Sequence, residues 1–121
     1  MYYGQDGSCN YDTGSQTIGA LTSPSIAVGS SATLSFEYLR QVESHSGSYD
    51  RTYVEVSYDN GASWSLVWYL DSSTASSSSW QTASVNLSPS SSSMRVRFVF
   101  DSRDKFKNTF TGWLVDDVTV N

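Results

Sequence analysis

Residues 53–64 read YVEVSYDNGASW and contain the strongest local signal in the chain. Two valines alternate there with polar residues, which is the two-residue period of a half-buried strand. Residues 59–61 (Asp-Asn-Gly) follow, and Asn and Gly adopt positive φ at low cost, so they indicate a tight turn. Residues 64–70 (WSLVWYL) are rich in aromatic side chains and predict the returning strand. The stretch therefore predicts a β-hairpin.

Similar segments recur along the rest of the chain at intervals of about ten residues, and none has a helical period. The clearest of them are 32–43, 80–87, 94–100 and 111–120. Short strands at this spacing, separated by Gly, Pro and Ser, are typical of an antiparallel β-sandwich. We predict an all-β fold with about seven or eight strands.

Composition excludes several classes of protein. The chain has 121 residues, which suits one domain with one core. It carries a net charge of -5 with a pI near 4.5, and this argues against nucleic-acid binding, which needs a basic surface. No run of apolar residues is long enough for a membrane span. The low charged fraction of 16% fits a secreted β protein.

Successive antiparallel strands alternate in direction, which predicts where the loops lie. The long polar loops 44–49, 71–79 and 101–110 should share one end of the sandwich, and the short turns should share the other. Binding residues are often found on long loops held by a rigid scaffold. We therefore expect the functional surface at the long-loop end.

Two resemblances extend this interpretation. The turn of the hairpin has the form Ser57-x-Asp59-x-Gly61-x-x-Trp64, which resembles the Asp-box of sialidases, where Asp and Trp stabilise the fold. Residues 95–101 (RVRFVFD) and 112–118 (GWLVDDV) resemble the bacterial MAM-like jelly-roll domain of secreted multidomain proteins, including immune-inhibitor-type metalloproteases. The MAM-like resemblance implies a jelly-roll sandwich over residues 1–121, without the family's first strand, in a larger secreted protein. It also implies a noncatalytic role in adhesion, substrate targeting or domain spacing.

Acidic residues suggest two sites for a cation. Strict alternation in the last strand places Asp116 beside apolar neighbours, and a buried carboxylate needs a partner, either Arg40 or a Ca²⁺ ion. A second acidic set lies at the long-loop end, where charge pairing with Arg51, Arg103, Lys105 and Lys107 is the alternative. The candidate metal ligands are Glu43, Asp50, Asp101, Asp104 and Asp116.

The candidate ligand-binding residues are Tyr49, Tyr69, Arg103 and Phe110. Aromatic faces suit sugar rings and cations. Catalysis is not expected, because His45 and Cys9 lack neighbours in a recognisable nucleophile motif and the chain has few acids for a glycosidase pair. The leading function is a noncatalytic extracellular module that binds a glycan or a cell-surface polymer, with structural Ca²⁺. The alternative is a spacer or protein-interaction domain of a secreted multidomain protein.

Overall fold

The computed structural model describes residues 1–121 and forms a sandwich of two antiparallel β-sheets with no helix. One sheet has the strand order β1-β9-β4-β7, and the other has the order β2-β8-β5-β6 with β3 also paired to β8. The predicted all-β antiparallel sandwich is confirmed. The structure has nine strands instead of the predicted seven or eight. The prediction is low because β1 and β3, with two residues each, are too short to show a period. The strands are β1 (Tyr2–Tyr3), β2 (Ile18–Thr22), β3 (Ile26–Ala27), β4 (Ala32–Gln41), β5 (Arg51–Ser57), β6 (Ser65–Leu70), β7 (Gln81–Leu87), β8 (Ser93–Asp101) and β9 (Gly112–Val120).

The predicted hairpin is formed by β5 and β6. In its turn, Asn60 and Gly61 have φ values of 60° and 93°, as the Asn-Gly sequence requires. The Asp59 carboxylate accepts hydrogen bonds from the Ser57 hydroxyl (2.7 Å) and the Ser63 amide (2.8 Å). Hydrogen bonds within the turn lower the pKa of Asp59 to about 2, so the ionised side chain stabilises the turn.

The core lies between the two sheets and is built from the inward residues of the alternating segments. Phe36 of β4 is 1% exposed and meets Trp68 and Phe98 edge to face, with ring centroids 5.2 and 5.3 Å apart. Trp113 of β9 is fully buried and stacks on Trp68 at 5.9 Å. Burying each such side chain contributes about 1.5–3 kcal/mol, so these aromatic contacts hold the sheets together.

Strand β9 departs from strict alternation at a β-bulge. Tyr38 and Leu34 of β4 lie opposite Val115 and Val120, so β9 has one more residue than β4 across this interval. Asp117 takes the positive φ of 48° that accompanies the irregularity. Asp116 lies before this irregularity, opposite Glu37 and on the other face from the buried Trp113 and Val115. It is therefore exposed, and the prediction that it is a buried carboxylate is wrong. The extra residue changes which side chains face the core.

The three long loops meet at one end of the sandwich, as the strand directions predict. The His45 amide donates to the Ser72 carbonyl (2.9 Å), which joins the first loop to the second. The Asp50 amide donates to the Ser102 carbonyl (3.3 Å), which joins the first loop to the third. The loops cover a group of buried polar side chains at this end.

Candidate functional site

The buried acid cluster consists of Glu43, Asp50 and Asn108, which lie under the long loops with relative exposures of 4%, 0% and 1%. One Asp50 oxygen, Oδ2, accepts hydrogen bonds from the Tyr11 hydroxyl (2.7 Å) and the Glu43 amide (3.1 Å). The other, Oδ1, has no partner, and neither do Glu43 Oε1 and Asn108 Oδ1. Tyr11 joins Asn108 to this region, because its amide donates to the Asn108 carbonyl (3.2 Å). Three buried acceptor oxygens are thus unsatisfied around Tyr11, which is uncommon in folded proteins.

Burial raises the pKa values of the two carboxyl groups in this cluster. It raises the pKa of Asp50 to about 6, against the opposing effect of the hydrogen bonds from Tyr11 and Glu43. Burial also raises the pKa of Glu43, with a further contribution from the negative charge of Asp104. Both carboxylates are therefore more costly to ionise than exposed ones unless a positive charge joins them.

Arg40 is the nearest buried cation, but it does not neutralise the cluster directly. Its guanidinium donates to the backbone carbonyls of Asp50 (3.1 Å) and Thr74 (3.2 Å) instead of to a carboxylate. Burial lowers the pKa of Arg40. The predicted pair between Arg40 and Asp116 is not formed, because the Arg40 side chain is used under the long loops. The structure has one ion pair, Arg97 with Glu55, so the predicted charge pairing at the long-loop end is not formed either.

The other predicted metal ligands have local partners. Asp101 Oδ1 accepts hydrogen bonds from the Gln16 side chain (2.9 Å) and the Arg103 amide (2.9 Å). Asp104 Oδ1 accepts one from the Phe106 amide (2.9 Å). No three His, Cys, Asp or Glu side chains are arranged so that they could hold one metal ion. Of the predicted ligands, Glu43 and Asp50 come together, and sequence reasoning missed Asn108 because it considered only acids.

The predicted ligand-binding residues lie at two places. Tyr69 is 39% exposed and faces Tyr53 across β5 and β6, with ring centroids 6.5 Å apart; we call these two residues the tyrosine face. Tyr49 is on the adjoining loop, where its ring meets His45 edge to face at 5.5 Å. Arg103 and Phe110 lie on the loop after β8, and Phe110 is 39% exposed. No ring contact joins Phe110 to the tyrosine face.

Polar groups surround the tyrosine face. The Tyr69 hydroxyl donates to the Asp71 carboxylate (3.0 Å), and burial together with this carboxylate raises the pKa of Tyr69. Arg51 lies two residues before Tyr53 on β5 and donates to the Ser48 carbonyl (3.1 Å). The surface thus combines two aromatic rings with hydrogen-bond donors and acceptors, which is the chemistry that recognises a polar ligand with an apolar face.

Comparison with known proteins agrees with the fold. The model of the family "Reelin subrepeat B" matches residues 10–121. No curated protein is similar enough to match the chain. The matched family is not the MAM-like one that the motifs resemble, but it too is β-rich, and it indicates an extracellular β-domain module. Since the match covers most of its residues, the chain belongs to the Reelin subrepeat B family.

Proposed function

We propose that this chain is a noncatalytic extracellular module that binds a glycan or a cell-surface polymer through the tyrosine face. The observation that carries the proposal is the cross-strand pair of Tyr53 and Tyr69 on the open side of the five-stranded sheet. Side chains on two paired strands are held by the sheet, so their rings are positioned before a ligand arrives. Membership of the Reelin subrepeat B family supports the extracellular part of this proposal.

The tyrosine rings would supply apolar contact area, and their neighbours would supply hydrogen bonds. A sugar ring has an apolar face that suits an aromatic ring and hydroxyl groups that both donate and accept. Asp71, which accepts hydrogen bonds, and Arg51, which donates them, lie beside the tyrosines.

No element of the structure is a long apolar helix of the kind that crosses a membrane.

Binding to a panel of soluble and insoluble polysaccharides tests this function. Aromatic contacts of this kind contribute about 0.5–1.5 kcal/mol, so Tyr69→Ala and Tyr53→Ala should each weaken binding about two- to twelvefold. Leu66→Ala is the matched control, because Leu66 is on the same strand as Tyr69 and is 57% exposed. If no polysaccharide binds, or if Tyr69→Ala and Tyr53→Ala bind as well as Leu66→Ala does, the tyrosine face is not a glycan site.

We further propose that a Ca²⁺ ion is held by the buried acid cluster and stabilises the long-loop end. Glu43, Asp50 and Asn108 offer the carboxylate and amide oxygens that calcium prefers, and each has a buried oxygen without a partner. A divalent cation would offset the cost of burying two carboxylates. When bound, the ion would join residues of two loops that are separate in sequence.

Thermal unfolding in calcium and in chelator tests the cation site. A ligand at about 100 times its Kd stabilises the folded state by about 2.7 kcal/mol. The unchanged chain should therefore unfold at a higher temperature in calcium, and Glu43→Gln should lose this difference. Asp6→Asn is the control, because Asp6 is exposed and outside the cluster. An equal effect of calcium on the unchanged chain and on Glu43→Gln would place the ion elsewhere.

A further inference from the structure

The outer face of the four-stranded sheet carries a second cleft, separate from both sites above. It has a volume of about 340 Å³ and is lined by Glu37, Trp80, Asp116 and Asp117. Trp80, just before β7, is 46% exposed, although tryptophan is a residue that folding normally covers to a large extent. We call this surface the Trp80 cleft.

Strand register explains how residues distant in sequence form the cleft. Glu37 of β4 lies opposite Asp116 of β9 on one side and Thr82 of β7 on the other. Trp80 lies two residues before Thr82, so it is on the same face of the sheet as Glu37. Asp116 faces outward through its register with Glu37, and the β-bulge that follows leaves Asp117 exposed as well.

Two of the three carboxylates in the cleft accept a hydrogen bond, and none has a counter-charge. Glu37 Oε1 accepts from the Thr82 hydroxyl (2.6 Å), and Asp116 Oδ1 accepts from the Asp117 amide (2.8 Å). The single ion pair of the structure is on the other sheet. Three carboxylates thus lie beside one exposed indole, and none of them is paired with a Lys or Arg.

We propose that the Trp80 cleft binds a lysine or arginine side chain of a basic segment on a protein partner. An indole face attracts cations, and this attraction adds to that of the nearby carboxylates. The carboxylates do not converge on one point in the manner of metal ligands, so they suit an extended organic cation better than a metal ion. The net charge of -5 would also speed the approach of a basic partner.

A neutral sugar could also stack on Trp80, but it would leave the three carboxylates uncompensated. A basic side chain satisfies both features of the cleft. This inference is independent of the proposed glycan site, because the two lie on different sheets and have no residue in common.

Titration with blocked tetralysine and tetra-arginine peptides, followed by NMR of the tryptophan indole N–H groups, tests the proposal. The chain has four tryptophans, and Trp80→Phe identifies the signal of Trp80. We expect either peptide to shift that signal at low salt. Glu37→Gln and Asp116→Asn keep a hydrogen-bond acceptor for their neighbours, and each should weaken binding by about threefold or more.

Asp6→Asn is again the matched control, because it removes one negative charge outside the cleft. It should leave peptide binding within about twofold of the unchanged chain. An equal loss in Asp6→Asn would show that net charge alone attracts the peptides and would overturn the proposal. It would also be overturned if neither peptide shifted the Trp80 signal. Selective binding of a neutral oligosaccharide, retained in Glu37→Gln and Asp116→Asn, would assign the cleft to a sugar instead.

Discussion

Replacing Asp50 by Asn in the metal-free chain should remove most of the pH dependence of stability between about pH 4.5 and pH 7. Asp50 is fully buried, and burial raises its pKa from 3.8 to about 6. An acid with a raised pKa binds its proton more tightly in the folded state than in the unfolded state. The free energy of unfolding therefore falls as the pH rises from about 4 through about 6.

The size of the effect follows from the shift of the pKa. The change from 3.8 to about 6 corresponds to about 3 kcal/mol over the whole titration. About 1 kcal/mol of this is already lost at pH 4.5, which is above the unfolded pKa, so we expect about 2 kcal/mol between pH 4.5 and pH 7. Burial also raises the pKa of Glu43, which adds to the same trend. Asp50→Asn keeps an acceptor for the Tyr11 hydroxyl, and Asn tolerates the φ of 44° at this position.

Urea unfolding in chelator at about pH 4.5 and about pH 7 measures the effect. The unchanged chain should be less stable at the higher pH, and Asp50→Asn should show a difference smaller by about 2 kcal/mol. If the unchanged chain gains stability as the pH rises, or if both proteins show the same difference, then the Asp50 carboxyl does not carry a burial penalty. The reasoning about the buried acid cluster would then be wrong.

Two further predictions concern backbone and turn geometry. Gly112 has a φ of 102°, and a Cβ there would meet the backbone oxygen of Tyr3, so Gly112→Ala should cost about 1–3 kcal/mol or more in urea unfolding. Gly7→Ala, where the space is open, should cost much less, and equal costs would contradict this explanation. Asp59 has a pKa lowered to about 2, so its stabilising effect is present above its ordinary pKa of 3.8 and is lost as the pH falls through about 2. Asp59→Ala should therefore destabilise the chain at neutral pH and have little effect in strong acid; a pH-independent loss would exclude the role of its charge.

Several features could be predicted from the sequence because they depend on neighbours in the chain. Alternation of apolar and polar residues in 32–43 and 53–58 identified strands β4 and β5 and the side chains that enter the core. The Asp-Asn-Gly turn required only the φ preferences of its own residues. Regular strand spacing also predicted which loops share an end, because antiparallel neighbours reverse direction.

The candidate sites depended on contacts that local pattern does not contain. The pairing of β9 with β4 sets Asp116 opposite Glu37 on the outer face beside Trp80, whereas the sequence predicted a buried position. Asp50 and Asn108 are far apart in sequence, but both are buried and both form hydrogen bonds with Tyr11. Periodicity thus determined the strands and the core, because the pleat of a strand is local. Strand register and loop packing determined which polar groups meet, because these arise from pairings between distant segments.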